Sequence, residues 1–269
     1  MELEKQKAKQ TIKETNIANL PLFAKELSRT RKPIAMEYNG SAVSFLSGMP
    51  STTGLDLMNY LLSKVPRNED GSINGDKLRK RGIEFTFYEV CQALGIPNQF
   101  KDRKRIMEEC ERLSSIGIKF TKFFYKDSKS DQPTAIQHSV ESPYKITIYT
   151  DIKDDSRPTF ANVLYIHDRI IRNLETDFFR LADLKKSLMI DAPTAKLIWN
   201  LLSVHSHCKQ WEIKLDKVAE YTGTPNNPKY KAKQTITRAN EELKLHKLIK
   251  NYEFRESEEG ETIIKYIFR

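Results

Sequence analysis

Apolar and polar positions near the end of the chain recur in an order that predicts three successive elements. The run LDKVAEYTG predicts a short helix, and the residues after the next turn place Ala232, Ile236, Ala239 and Leu243 on one helical face. The alternating run KNYEFRESEEGETIIKYIF predicts a two-stranded hairpin. A helix, a turn, a longer helix and a hairpin make a winged helix, which is a helix-turn-helix followed by a β-hairpin wing. Gly223, Pro225 and Pro228 lie in the turn, where they end the first helix and let the second begin at a new angle.

The outward side of the longer helix carries hydrogen-bond donors and cations. At 100° per residue, Tyr230, Gln234 and Arg238 lie opposite the apolar face, and the acidic Glu241 and Glu242 come only at the far end. Such a surface is suited to the major groove of DNA, although many solvated amphipathic helices have a charged face too. The residues of this helix that we predict to bind DNA are Lys229, Tyr230, Lys231, Lys233, Gln234, Thr237 and Arg238.

The same order of elements occurs once before in the chain. Thr86 is a suitable N-cap for the run FYEVCQALG, a long helix is predicted over 99–115, and the runs IKFTKFFYKD and SPYKITIYTD predict a hairpin with a long tip. The sequence Gly-Ile-Pro-Asn at 95–98 aligns with Gly-Thr-Pro-Asn at 223–226, an offset of 128 residues (223 − 95). We interpret the chain as a duplicated winged helix.

The first long helix differs from the second in its charges. Its predicted outward side holds Lys101, Lys104, Arg105 and Arg112, but also Glu108, with Glu109 and Glu111 close by. We therefore expect the second domain to read bases, while Lys101, Lys104 and Arg105 grip phosphates or a second subunit. The wings supply further candidates for phosphate contacts, or ordinary solvated positions: Lys119, Lys122, Lys126, Lys247, Lys250 and Arg255.

The remaining segments predict simpler features. Residues 1–33 are expected to form a solvated arm, with contact to DNA or to a partner subunit as the alternative. Asn39-Gly40 predicts a hairpin turn, GLDLMNYLLSKV predicts a helix, and RNEDGSINGDKLRKRG reads as a polar loop. The charged stretch 151–160 predicts a domain boundary, and the strand 163–166 is expected to open the second domain, followed by a helix over 192–205.

Composition points towards a polyanionic partner. Lys and Arg number 45 against 36 Asp and Glu, so the formal net charge is +9. The N-terminus is charged from its second residue and no long apolar run follows, so we expect a cytoplasmic protein without a signal peptide or membrane span. The three cysteines are widely separated and form no CxxC pair, as free thiols do in a reducing compartment.

Only one stretch suggests metal or nuclease chemistry. His205, Ser206, His207 and Cys208 close a predicted helix, where side chains two residues apart point about 200° apart and do not readily share one ion. The aspartates at 151, 154 and 155 lie in the predicted linker, where carboxylates are usually solvated, and neither a Walker A loop nor GxGxxG occurs. We predict no catalytic site, no metal and no cofactor.

Two groups of residues carry a resemblance to a known family. The runs TAKLIWNLLSVH, WEIKLDKVAEYTGTP and KYKAKQTITRANEELKLHKLIKNY resemble the C-terminal winged helix of bacterial plasmid replication initiators, the Rep proteins that bind repeated origin sites called iterons. The run FYEVCQALGIPNQFKDRKRIMEECERL is similar to their N-terminal winged helix, and the resemblance covers residues 34–269.

The resemblance implies a sequence-specific, non-catalytic initiator whose two domains both touch DNA in the monomer. It further implies that the N-terminal domain doubles as a dimer interface, that the dimer represses its own gene, and that the host initiator and replicative helicase are recruited to the opened origin.

We therefore predict an α+β protein with two winged-helix domains in tandem, each a helix-turn-helix followed by a β-hairpin wing. Residues 34–155 would form the first domain, for phosphate contacts and dimerisation, and residues 156–269 the second, for most of the DNA reading. The alternative functions are a tandem winged-helix transcription regulator, which would bind a single operator, and an origin-nicking or primase-type enzyme.

Overall fold

A computed structural model describes residues 10–25, 34–38, 41–119, 140–149, 162–176, 179–225 and 228–268. The elements up to the second half of the chain are β1 (Gln10–Glu14), α1 (Thr15–Ala18), β2 (Ile34–Tyr38), β3 (Ser41–Phe45), α2 (Thr52–Leu62), α3 (Gly75–Arg81), β4 (Ile83–Phe85), α4 (Phe87–Leu94), α5 (Phe100–Ser114), β5 (Ile116–Lys119), β6 (Val140–Glu141), β7 (Tyr144–Thr147), β8 (Asn162–Ile166) and α6 (Asp168–Glu175). The later elements are β9 (Phe179–Asp183), α7 (Leu184–Leu188), α8 (Pro193–Ser203), β10 (Gln210–Lys214), α9 (Leu215–Tyr221), α10 (Lys229–Leu245), β11 (Asn251–Glu256) and β12 (Thr262–Ile267).

The C-terminal part is a winged helix with one compact core. Helices α8, α9 and α10 contribute the fully buried Ile198, Val218 and Ile236, and the wing contributes Ile264 and Tyr266. The sheet has the order β10-β12-β11, and both pairings are antiparallel. The wing therefore closes over the same apolar cluster that holds the three helices together.

The N-terminal part contains the same three helices with a more elaborate set of strands. Helices α2, α4 and α5 bury Leu61, Val90 and Ile106 in a second, larger core. The strand β5 that follows α5 joins a sheet of order β2-β3-β5-β6, and β8 lies between β4 and β7 in another sheet. The hairpin predicted around positions 39 and 40 forms from β2 and β3, although the two turn residues lie outside the described ranges.

The two long helices bury residues at the same spacing. The buried positions of α5 include Ile106, Glu109, Cys110 and Leu113, and those of α10 include Ile236, Ala239, Asn240 and Leu243, a constant offset of 130 residues (236 − 106). Helices α2 and α8 each have 11 residues. The predicted fold class, α+β with two winged-helix domains in tandem, is confirmed.

The turns between the paired helices also agree with the sequence pattern. Gly95 and Gly223 each follow the shorter helix with positive φ angles of 65° and 59°, a backbone region that favours glycine. Thr86 caps α4, and its side chain and that of Glu89 each accept a hydrogen bond from the other residue's backbone N–H. The residues at the helix ends thus determine where each helix-turn-helix bends.

The segment predicted as a polar loop contains helix α3. Asn74 accepts a hydrogen bond from the backbone N–H of Lys77 and caps this helix. Arg79 then pairs with Asp168 (2.6 Å) and Glu175 (2.5 Å) on α6, and both carboxylates raise the pKa of its guanidinium. The loop prediction is wrong here because this partner helix is distant in the sequence.

The strand β8 packs with the first core rather than the second. It pairs with β4 and β7, and Leu164, Ile170 and Leu174 of β8 and α6 belong to the larger cluster. The residues 150–161, where we placed the boundary, are outside the described ranges. The division at 155 stays a prediction, and packing favours a later one, near the start of the second cluster at Ile190.

The described part of the N-terminal segment is packed into the molecule. Strand β1 pairs antiparallel with β9, and Ile17, Leu20 and Leu22 are buried in the first core. The prediction of a solvated arm is therefore wrong for residues 10–25. The prediction failed because the segment packs between the two winged-helix domains, and composition alone does not reveal such a contact.

A buried polar network joins α2 of the first domain to α8 of the second. The ammonium group of Lys13 donates to the side-chain oxygens of Asn59 on α2 and of Asn200 on α8, the latter at 2.6 Å. Beside it, Lys196 on α8 pairs with Asp56 on α2. Burial lowers the pKa of Lys13 to about 7, against a smaller opposing effect of Asp56.

The same network extends to the helix-turn-helix of the second domain. Asn200 donates through Nδ2 to the Tyr221 hydroxyl (2.8 Å), which donates to the carbonyl of Ala18 (2.7 Å). Lys25 donates to the Thr224 hydroxyl (2.7 Å). Because Asn200 and Tyr221 are buried, removing the side chain of one would leave the other without its hydrogen-bond partner, at a cost of about 1–3 kcal/mol.

Replacing Lys13 by Met should change how stability depends on pH. The pKa of Lys13 is about 7 in the folded protein and 10.5 in the free side chain. Between these two pH values Lys13 is protonated in the unfolded chain but neutral in the folded protein. The free energy of unfolding of the wild type therefore increases as the pH rises from about 7 to about 10. We expect the difference in free energy of unfolding, wild type minus Lys13→Met, to increase from about pH 7 to about pH 10 in urea titrations.

The variant Lys80→Met, at an exposed position of α3, provides the control. If the difference in free energy of unfolding between the wild type and Lys13→Met stayed constant over this pH range, the result would contradict a desolvated Lys13.

Candidate nucleic-acid interface

Three residues of α10 form a continuous outward stripe. Tyr230, Gln234 and Arg238 are spaced four residues apart, so they stack along one side of the helix. All three are exposed, and Tyr230 is 66% exposed although it is a large aromatic residue. The structure places them on the surface opposite the buried positions, as the helical period predicts.

The other predicted residues of α10 surround this stripe. Lys229, Lys231 and Lys233 are exposed, and Thr237 is half-buried. Thr237 shares a hydrogen bond with the hydroxyl of Tyr252 on the wing. The helix therefore presents cations on its first two turns, and its middle is joined to β11.

The two acidic residues of α10 accept hydrogen bonds from other elements of the same domain. Glu241 accepts a hydrogen bond from the Tyr252 hydroxyl at 2.6 Å. Glu242 accepts from the backbone N–H groups of Asp191 (2.6 Å) and Ala192 (3.0 Å), at the N-terminus of α8. Burial and the hydrogen bond to Glu241 raise the pKa of Tyr252 to about 12, so its hydroxyl remains a donor. Both carboxylates are therefore hydrogen-bonded within the second domain.

The wing lies against the side of α10. Lys233 places its ammonium group 4.9 Å from the ring centre of Phe254, and Phe254 contacts Tyr252 edge to face. Because Tyr252 contacts the last turns of α10 and Phe254 an earlier turn, β11 runs back towards the start of the helix. Lys250 is exposed at the base of the wing. Arg255 pairs with Glu212 on β10, so its guanidinium is engaged within the sheet.

The tip of this wing is acidic, although the wing was expected to supply cations for phosphate contacts. Glu258 and Glu259 are exposed in the turn between β11 and β12, and Glu261 pairs with Lys214 at 2.5 Å. Carboxylates at the tip repel phosphates. The tip is therefore the least suitable part of the second domain for contact with a nucleic-acid backbone.

Helix α5 offers cations only at its start. Lys101, Lys104 and Arg105 are exposed, and Arg105 donates to the hydroxyl of Thr53 at 2.7 Å. Arg112 is buried and donates to the carbonyl of Met49, so the expectation that it faces outward is wrong. The cause is its helical phase, which turns this residue towards the loop before α2.

Glu109 of α5 is also buried, and it has a structural role. Its carboxylate accepts from the backbone N–H of Ser51 (3.0 Å) and from the Ser51 hydroxyl, at the N-terminus of α2. Burial raises its pKa. Both long helices thus place a carboxylate at the N-terminus of the first helix of their own domain, through Glu109 and Glu242. Sequence spacing gives no signal for this arrangement because the partners are 58 and 51 residues away.

Some predicted contacts cannot be placed. Lys122 and Lys126 in the first wing lie outside the described ranges, and so does the side chain of Lys119. Their expected contacts with phosphates stay predictions.

The histidines that suggested metal chemistry have other contacts. The ring of His205 stacks on Trp211 with ring centres 4.0 Å apart, and its Nε2 lies 3.2 Å from the Asn19 side-chain oxygen. Burial, ahead of the nearby His207 and Arg180, lowers the pKa of His205 to about 4. Across the described ranges, no group of three or more His, Cys, Asp or Glu is arranged to hold a metal ion. No helix in those ranges combines the length and apolarity needed to cross a bilayer.

Solved structures share this arrangement over nearly the whole chain. A crystal structure of a SeMet derivative of domains 2 and 3 of RctB aligns with a TM-score of 0.56 over 95% of this chain and 98% of that one, at 10% identity. A second structure, of the RctB-155-483 domains 2-3, aligns with a TM-score of 0.52 over 94% and 96%, at 9% identity. The chain has the fold of RctB domains 2 and 3. No family model and no curated protein matches the chain.

Neutralising the wing tip should strengthen binding to duplex DNA. The double variant Glu258→Gln/Glu259→Gln removes two exposed carboxylates beside the candidate interface. We expect its affinity for a random-sequence duplex at low salt to rise about two- to fourfold, as removing like charges about 10 Å from phosphates would allow. The gain should shrink as salt is raised, because screening weakens the repulsion.

Fluorescence anisotropy measures this affinity, and Glu69→Gln, at an exposed position of the first domain, is the control. An unchanged or weaker affinity of the double variant would show that the wing tip is remote from the DNA or makes a favourable contact with it.

Proposed function

We propose that this chain is a sequence-specific, duplex-DNA-binding initiator of plasmid replication that acts without a catalytic site. The two winged helices bind repeated sites at an origin, and the energy of the phosphate and base contacts distorts the DNA there. The protein works in the cytoplasm, as the sequence led us to expect.

The observation that carries this proposal is the outward stripe of α10. An aromatic side chain, an amide and a guanidinium follow one another at Tyr230, Gln234 and Arg238, and both carboxylates of the helix accept hydrogen bonds within the domain. Gln and Arg are the side chains that make bidentate hydrogen bonds to adenine and guanine in the major groove. The net charge of +9 supports a polyanionic partner.

The two domains make different kinds of contact with DNA in this proposal. The positions of α5 that align with Tyr230, Gln234 and Arg238 are Phe100, Lys104 and Glu108, so a carboxylate replaces the guanidinium on the third turn. A carboxylate is repelled by the phosphates that line a groove, and it restricts α5 to contacts at its first turn. Lys101 and Lys104 are therefore assigned to phosphates, and α10 reads most bases.

The resemblance to Rep initiators supports the finer parts of the proposal. These are a dimer formed through the first domain, repression of the protein's own gene by that dimer, and recruitment of the host initiator and the replicative helicase. A tandem winged-helix transcription regulator would use the same contacts on a single operator, and the number of sites bound separates the two functions.

One substitution in each long helix should separate base reading from phosphate binding. Arg238→Ala should weaken binding to the preferred site by about tenfold and relax preference at one or two base pairs. Lys104→Ala should lower affinity for all sequences alike and reduce the slope of log affinity against log salt by about 0.9. Competition binding with single-base site variants measures both effects. Loss of sequence preference from Lys104→Ala, or a uniform loss from Arg238→Ala, would contradict the division.

Footprinting tests the proposed function itself. Full-length protein is bound to the DNA that lies upstream of its own gene, and protection is mapped by hydroxyl radicals. An initiator should protect several regularly spaced repeats, and sedimentation of the complex should show several copies of the protein. Protection of one operator would instead support the regulator, and no specific protection would refute both.

A further inference from the structure

Phe100 is the most exposed large apolar side chain in the described residues. It is 84% exposed at the first position of α5, whereas a phenylalanine that stabilises a fold is normally buried. Its helical phase explains this, because the buried positions of α5 follow at six, nine, ten, twelve and thirteen residues beyond it, on the other side of the helix. An aromatic side chain at this position therefore does not stabilise the fold.

The second domain has an aromatic residue at the equivalent place. With the 130-residue offset of the two long helices, Phe100 aligns with Tyr230, and four buried positions of α10 follow at six, nine, ten and thirteen residues beyond Tyr230, as they do in α5. Tyr230 is 66% exposed. Both winged helices therefore project an aromatic ring from the first turn of the longer helix, in the same direction relative to their own cores.

The surroundings of Phe100 indicate a polyanion rather than an apolar protein partner. Lys101 and Lys104 are exposed next to it, and Lys104 lies one turn along the same side of α5. Arg103 donates to the side-chain oxygen of Asn98 at 2.7 Å, which keeps a further guanidinium at this end of the helix. An apolar group ringed by cations suits a groove edge, where phosphates surround the base pairs.

Only one apolar group is offered by base edges in the major groove, and it is the C5-methyl of thymine. We propose that Phe100 packs against a thymine methyl group in the major groove, and that Tyr230 makes the equivalent contact one domain away. This inference rests on the proposed function and deepens it: the first domain reads one feature of sequence at its first turn, although its other contacts are to phosphates.

Replacing thymine by deoxyuridine tests the inference because it removes only the methyl group. A preferred duplex site is first selected from a random library with the wild-type protein, and each thymine is then replaced singly. We expect at least one replacement under the first domain to weaken wild-type binding about fourfold, the effect of losing one buried methyl group. The same replacement should leave binding by Phe100→Ala unchanged, and a different thymine should lose its effect in Tyr230→Ala.

Two further variants complete the design. Phe100→Leu keeps an apolar side chain and should retain part of the thymine preference. Leu245→Ala removes another exposed apolar residue at the far end of α10, about 22 Å from Tyr230 along the helix, and should respond to every replacement as the wild type does. Thermal unfolding of each variant reports whether the fold is intact, as the exposure of these residues leads us to expect.

The outcomes separate this inference from the proposed function. If the wild type selects a site but no thymine replacement distinguishes it from Phe100→Ala, the inference is overturned and the proposed function stands. If the wild type selects no sequence from the library, sequence-specific binding itself is refuted.

Discussion

The contact between α2 and α8 determines how the two long helices, α5 and α10, are held relative to each other. At its centre Lys13 donates to Asn59 and Asn200, with the ion pair of Asp56 and Lys196 beside it. A buried ammonium group is costly unless its hydrogen bonds are made, so the network is satisfied in one arrangement of the domains. Such a network favours one relative position over many, where apolar packing alone would allow sliding.

This constraint matters because the helices α5 and α10 are similar in geometry but unlike in chemistry. Four buried positions of each helix have the same spacing, and each helix places a carboxylate at the N-terminus of a neighbouring helix, through Glu109 and Glu242. The outward stripes then diverge at the third turn, where α10 has Arg238 and α5 has Glu108. A duplicated scaffold thus presents two chemically different surfaces.

Local features of the fold were predictable from the sequence because neighbouring residues determine them. The capping box of Thr86 and Glu89 and the positive φ angles of Gly95 and Gly223 follow from residue type and spacing. The helical period likewise placed Tyr230 on the surface. These are the features from which the two helix-turn-helix units and their offset were inferred.

Features that depend on distant partners were not predictable in this way. In the sequence, Lys13 belongs to a charged N-terminal segment. In the structure it contacts Asn59 and Asn200, which are 46 and 187 residues away. Arg112 was expected to face outward, yet it is buried and donates to Met49. Helix α3 was missed for the same reason, since Arg79 finds its carboxylate partners on α6.

Cleavage of DNA by a chelated iron attached to each long helix tests most directly whether both helices face one duplex. Single cysteines would be introduced at the exposed Lys101 or Lys231 in a Cys208→Ser background, since Cys91 and Cys110 are buried. We predict that each derivative cuts one narrow segment, and that the two segments lie at different, fixed places on the same selected duplex. Cleavage from only one helix, or diffuse cleavage from both, would contradict the account.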